Sequence, residues 1–370
     1  MNVPPPGPSG LLNLRTTPFA HYGIAWSPFH PHLFALASSA NYGLIGNGRV
    51  HIVGMRPGPT PIIPSNTPGV TGNGLQLDRV YNTQDGLYDV AWSEVHENQL
   101  VSASGDGSLK LWDITINDLP IRAWHEHGRE VFSVDWSNTN KEIFASSSWD
   151  GSIKVWTPER PTSVQTVLAH GSCVYQALFS PHTPFVLASC STDGTMKIFD
   201  LRQPTAPTAP QPMPSTQPPT PDQLTRPAMI VPAHPTEILS LDWNKYRPWV
   251  LATGSVDKTI KIWDCRSVKL GTNETGLGAV CEANLHGHEY AVRKVQWSPH
   301  RPDVLASASY DMSCRIWSTA PNPQMAALRA IHDPHTEFVA GCAWSLYNEG
   351  MLASCSWDHS VHVFRPNIGI

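Results

Sequence analysis

Hydrophobic and polar residues alternate in short runs along most of this chain, and the same run keeps returning. "DVAW" (89–92), "VFSVDW" (131–136), "ILSLDW" (238–243) and "AVRKVQW" (291–297) each end on a tryptophan. Period-two alternation over so few residues predicts half-buried β-strands. Downstream of each comes a strand ending in serines, a tight turn holding an aspartate, and a second alternating strand carrying an aromatic residue, as in "SGDGSLKLWD" (104–113). The aspartate and the aromatic stand six apart every time: Asp106 and Trp112, Asp150 and Trp156, Asp193 and Phe199, Asp257 and Trp263, Asp311 and Trp317, Asp358 and Phe364.

Successive copies start about 43–47 residues apart where nothing intervenes. Two longer gaps have visible causes. Residues 202–223 are rich in Pro, Thr and Gln, and residues 54–74 are rich in Pro and Gly; both predict loop insertions, because proline cannot donate to a strand ladder. A degenerate first copy, "YGIAWSPFHPHLFALASSA" (22–40), has the strands without the Asp/Trp pair and brings the number of units to seven.

This period, with its GH and WD marks, resembles the WD40 β-propeller, built from four strands per blade. The resemblance implies an all-β fold with seven blades, the last closed by a strand from the N-terminus. "LLNLRT" (11–16) is the expected closing strand, leaving residues 1–10 as a disordered N-terminus and 11–370 as a single propeller.

Histidine, serine and aspartate recur together: His127 with Asp150, His170 with Asp193, His234 with Asp257, His288 with Asp311 and His335 with Asp358. A hydrolase needs one nucleophile in one place, whereas this grouping occurs once per blade. The expected role is structural: the aspartate accepts from the histidine, which links to a strand serine and to the indoles of Trp156, Trp263 and Trp317. Phe199 and Phe364 lack the indole donor. No unique polar cluster suggests catalysis, and no cofactor is implied.

The chain has 370 residues and a net charge of −5, with no basic stripe of the kind nucleic-acid binding needs. No apolar stretch is long enough to span a membrane. The seven cysteines are scattered without metal-ligand spacing and suit a reducing compartment. "WHEH" (124–127), "HGH" (286–288) and "HDPH" (332–335) each end on a histidine already assigned to a blade, and the others lack a clustered partner, so no metal is expected.

Two registers then stand out. Four residues before the strand-ending aromatic come Tyr88, Phe132, Tyr175, Leu239, Arg293 and Ala340. Just before the turn aspartates come Gly105, Trp149, Thr192, Val256, Tyr310 and Trp357. In WD40 propellers both registers lie towards the same face. Acids cluster at its strand entries: Asp85, Glu130, Glu237, Glu289 and Glu337. The implied ligand is a short, basic, amphipathic peptide held by aromatics and steered by acids. Asp85 is notable because Thr83 occupies the register where later copies carry histidine.

Beyond generic repeats, "ANYGLIGNGRV" (40–50), "DGLYDVAWSE" (85–94), "TEILSLDWNKY" (236–246), "HTEFVAGCAWS" (335–345) and "SWD" (356–358) resemble the WD40 peroxins, cytosolic receptors for type-2 peroxisomal targeting signals. The resemblance runs from about Leu14 to Pro366. It implies binding of an N-terminal nonapeptide of cargo enzymes: Arg or Lys, an aliphatic residue, five variable residues, His or Gln, then Leu or Ala. Positions 1 and 8, and 2 and 9, share one side of an α-helix. It also implies a co-receptor peroxin, a peroxisomal docking complex, and a cytosolic protein shuttling to the peroxisome. Asp85 and Glu130 are the first candidates for the peptide's basic residue. The rival reading is a WD40 chromatin scaffold gripping basic histone helices.

Overall fold

In the computed structural model, which describes residues 10–43, 46–56, 70–116, 119–203, 224–272, 275–320 and 326–368, seven sheets of antiparallel strands, one with a short parallel edge strand, Gly276–Leu277, are arranged around a central channel. Blade 1 is built from Phe19–Trp26, Leu33–Ala40, Gly48–Met55 and Leu75–Thr83; blade 2 from Leu87–Trp92, Gln99–Ser104, Ser108–Asp113 and Arg122–His125. Blades 3 to 6 begin at Val131, Val174, Ile238 and Val292, and blade 7 begins at Val339. The runs ending in Trp or Phe form the innermost strands, and each packs against the innermost strands of both neighbouring blades, so the ring closes.

The closure is the one expected from the sequence. Leu12–Thr16 pairs antiparallel with Ser360–Phe364, placing Leu14 opposite Val361 and Asn13 opposite His362. Leu14 is 2% exposed in the core shared by blades 7 and 1. The 54–74 stretch is less irregular than its composition predicts at its ends. Gly54 and Met55 finish a strand, and Val70–Asn73 adds to the outer edge of Leu12–Thr16. Alternation is what rescues both ends, since Met55 and Val70 point into that core. The expected N-terminal segment 1–10, save Gly10, and most of the 202–223 insertion fall outside the described residues.

Neighbouring blades are stapled by polar side chains from the innermost strands. Asp89 accepts from the Val134 amide (3.2 Å), Ser133 from Ala177 (3.1 Å), Gln176 from Leu241 (3.1 Å) and Ser240 from Val295 (3.1 Å). All four stand three residues before the strand-ending aromatic. At the residue just before it, Asp135 and Asp242 accept from the amides of Phe179 and Trp297, both at 2.7 Å. The Trp26 indole donates to the Ala343 carbonyl at 3.0 Å, tying the last blade to the first.

The recurrent His–Ser–Asp groups form as expected. In blade 3, His127 Nδ1 lies 2.9 Å from Asp150, His127 Nε2 lies 2.7 Å from Ser146 Oγ, and the Trp156 indole donates to that serine at 2.8 Å. The same chain runs through His234, Asp257, Thr253 and Trp263, and through His288, Asp311, Ser307 and Trp317. Burial holds His170, His234 and His288 below the usual histidine range. The proton accounting is therefore fixed: the neutral ring donates to the carboxylate and accepts from the hydroxyl, which accepts from the indole. His170 with Asp193 and Ser189, and His335 with Asp358 and Ser354, keep the first two links; Phe199 and Phe364 supply no indole.

Blade 1 replaces the motif. His21 Nδ1 meets Ser38 Oγ at 2.8 Å, and that oxygen meets His51 Nδ1 at 3.0 Å.

Candidate peptide-binding face

In blades 2 to 7 the two registers lie at one end of the blade, where a backbone hydrogen bond ties the residue before the turn aspartate to the carbonyl two residues ahead of the other register. The Trp149 amide donates to the Glu130 carbonyl (3.0 Å), Val256 to Glu237 (3.0 Å), Tyr310 to Ala291 (3.1 Å), Trp357 to Phe338 (3.0 Å) and Gly105 to Gly86 (2.9 Å). Each blade thus fixes the residue before its turn aspartate against the entry of its innermost strand. An acid and an aromatic at these places necessarily share a surface.

On that surface the rings form a continuous ribbon. Tyr310 stacks on Phe338 (centroids 4.7 Å apart), and Phe338 meets Trp357 at 5.2 Å. Trp357 contacts Tyr22 at 5.2 Å and Tyr42 at 5.8 Å. Tyr22 meets Tyr88 edge-on at 5.3 Å, and Tyr88 stacks on Phe132 at 4.3 Å. Phe132 stacks on Trp149 at 4.7 Å and meets Tyr175 at 5.1 Å. Such contacts hold rings in fixed orientations at about 0.5–1.5 kcal/mol each. The ribbon runs from the blade 6–7 junction through blade 1 to blade 4.

Three of its members escape the sequence reading. Tyr22 sits four residues before Trp26, the same register as Tyr88, but the first copy lacks the Asp/Trp pair that sets the frame. Phe338 lies one residue before strand Val339–Trp344, and Tyr42 lies on a left-handed turn (φ 54°), 45% exposed. Leu239, Tyr22 and Phe132 are 3%, 7% and 9% exposed, so they support the face from beneath, whereas Tyr88, Trp149, Tyr175, Tyr310 and Trp357 are partly open. Blade 5 presents no ring at either register.

The acids divide. Gly105 leaves just enough room for two neighbours: a Cβ there would lie 3.1 Å from Asp85 Oδ1 and 3.3 Å from Tyr88 Cε2. Asp85 accepts from the Gly86 amide at 2.6 Å and has no ion pair among the described residues. Glu130 lies 3.6 Å from Arg129, whose guanidinium sits over the Trp149 ring, so its charge is partly answered locally. Burial raises the Tyr88 phenol, and the nearby Glu130 and Asp85 carboxylates raise it further. Both acids therefore act on one aromatic. Glu237, Glu289 and Glu337 are exposed at the entries of blades 5, 6 and 7.

One expectation about histidines needs correction. His332 does have a clustered partner: its Nε2 lies 3.1 Å from His362 Nδ1, and His335 stacks on His362 at 4.0 Å. The two strands that carry His332 and His362 belong to neighbouring blades, which sequence spacing does not reveal. Both nitrogens of His335 are committed to Asp358 and Ser354, and the His332–His362 bond takes one nitrogen of each ring; the three rings offer ligand atoms within 4.8 Å of one another.

Comparison with known proteins agrees with this architecture. The "WD domain, G-beta repeat" family model matches residues 76–113, 119–157, 161–200, 225–264, 279–318 and 327–365. The chain is 42% identical to "Peroxisome biogenesis protein 7" of Arabidopsis thaliana, with 95% of this chain and 96% of the relative covered. It is 34% identical to the "Peroxisomal targeting signal 2 receptor" of Saccharomyces cerevisiae (96% and 99% covered) and 36% identical to that of Mus musculus (97% and 98%). The chain belongs to the WD40-repeat family of peroxisomal targeting signal 2 receptors.

Proposed function

We propose that this protein binds the N-terminal, helical type-2 targeting peptide of cargo enzymes on its aromatic face. With a co-receptor peroxin it then delivers them from the cytosol to the peroxisomal docking complex. The observation that carries this reading is the ring ribbon flanked by Asp85 and Glu130, on a chain whose relatives are named for that signal.

Magnitudes assign the roles. Burying a Leu- or Phe-sized side chain contributes about 1.5–3 kcal/mol, whereas an exposed ion pair contributes about 0.2–1 kcal/mol. The peptide's aliphatic positions, lying on one side of its helix, supply affinity against the rings. Its basic first residue, steered to Asp85 and Glu130, supplies orientation and encounter rate. The protein performs no chemistry on its cargo in this account.

The test is fluorescence anisotropy of a labelled nonapeptide of this pattern, with the co-receptor present, beside a peptide whose first residue is Glu. Saturable binding of the first and a large loss for the second supports the reading. Equal binding of both, or none to the folded protein, refutes it.

A further inference from the structure

Arg293 is a buried cation, 7% exposed, with no ion-pair partner among the described residues, although the Asp89 carboxylate borders the same opening and interacts with it at longer range. The one hydrogen bond of Arg293 among those residues is long, 3.4 Å from Nη1 to the Leu239 carbonyl. From blade 6 its guanidinium reaches across the channel mouth to lie 5.6 Å from the Phe132 ring and 5.8 Å from the Tyr175 ring. It borders a small opening of about 20 Å³ whose walls include Tyr22, Tyr88 and Phe132. Ring faces answer part of a cation's lost hydration, but a desolvated guanidinium with no directly paired anion is a costly group to carry.

The neighbourhood is therefore dipolar. Asp85 and Glu130 supply negative charge beside Tyr88, and Arg293 supplies positive charge beside Phe132, while Tyr88 and Phe132 stack on each other at 4.3 Å. A helical peptide carries the complementary dipole. Its N-terminal end is positive through the macrodipole and, in the signal proposed above, through a basic first residue; its C-terminal carbonyls are negative. A nine-residue helix is about 13.5 Å long, so its two ends carry well-separated partial charges.

We infer that Arg293 is a polarity-setting residue that receives the negative, C-terminal end of the bound helix at the channel mouth, while the basic N-terminal end lies over Asp85 and Glu130. This rests on the peptide-receptor reading. It adds that the direction of the bound helix is fixed by a charge that makes no ion pair among the described residues of the free protein, and that a carboxylate at the peptide's C-terminal end strengthens binding.

The experiment compares two synthetic, N-acetylated nonapeptides, identical except for a C-terminal carboxylate or carboxamide. They are titrated into the full chain with the co-receptor present. The wild type should prefer the carboxylate on the order of threefold to tenfold. Arg293→Met should bind both alike, and Arg293→Lys should keep a preference, with the folding of each variant checked by its unfolding midpoint. Because the readout is a ratio, a general loss of affinity does not mimic the result. If Arg293→Met fails to fold, the wild-type ratio and Arg293→Lys still decide the matter. Equal binding of both peptides to the wild type overturns the role of Arg293 and leaves the receptor reading standing. A preference that survives in Arg293→Met also overturns it. Binding of neither peptide to the wild type removes both.

Discussion

The Thr83 hydroxyl donates a 2.7 Å hydrogen bond to the carbonyl oxygen of Asp85. In five other blades the residue at Thr83's register is a histidine committed to its turn aspartate. Blade 2 has no such histidine: Asp106 is satisfied by Ser108, and the Trp112 indole still reaches Ser102 at 2.9 Å. The threonine instead fixes the short entry loop, and the Asp85 carboxylate stays at the surface beside Tyr88. The exchange gives up one core link and leaves on the aromatic face an acid with no ion pair among the described residues.

Asp85→Asn should therefore weaken peptide binding by about two- to fivefold, the range of one partly exposed ion pair. It should change folding stability by no more than about 0.5 kcal/mol. Peptide titration and urea unfolding of the same variant check both halves.

Two tryptophans with similar names for their motif should behave oppositely. Trp357 lies in the ribbon, half-buried, while Trp317 is 1% exposed and bonds Ser307. Trp357→Ala should cost at least tenfold in peptide affinity. Trp317→Ala should cost about 3–5 kcal/mol of stability through the cavity and the lost indole bond to Ser307, which keeps His288. Paired binding and unfolding measurements separate the two roles.

Closure by the N-terminal strand predicts that Leu14→Ala destabilises the whole ring by about 2–5 kcal/mol, because Leu14 is fully buried between the first and last blades. Chemical unfolding that showed a change below about 0.5 kcal/mol would mean that this strand contributes little.

Acid should unfold the protein from a higher pH than carboxylates alone dictate. Burial lowers His21 to about 3, and His332 and His362 to about 3 and about 4. In the unfolded chain these rings protonate near pH 6.5, while in the folded protein they stay neutral. The unfolded state thus binds more protons between those values, and stability is lost as pH falls from about 6.5 towards 4. Asp193, held at about 2, adds its loss below about pH 4. His21→Gln should flatten the dependence of unfolding free energy on pH by up to about 1.4 kcal/mol per unit between pH 6 and 4.

Local pattern made the blades legible. The pairing of each histidine with its turn aspartate and the alternation in "LLNLRT" survive as contacts, because each is set within one sheet or by strand register. What sequence spacing hides is contact between blades. Spacing places Arg293 in the face register but does not reveal its reach across the channel to Phe132 and Tyr175. His332 finds His362 thirty residues on, in the next blade. Tyr22 was hidden for a different reason: the frame that would have placed it beside Tyr88 depends on a turn motif that its own copy has lost.

The central claim is that the aromatic face with its acids is where a basic helical peptide is recognised. The most direct test measures the affinity of the labelled nonapeptide, with co-receptor, for the wild type and for Asp85→Arg combined with Glu130→Arg. The account predicts saturable binding to the first and a loss of at least tenfold in the second, with unchanged unfolding midpoints. Undiminished binding to the folded double variant would contradict it and move the recognition site off this face.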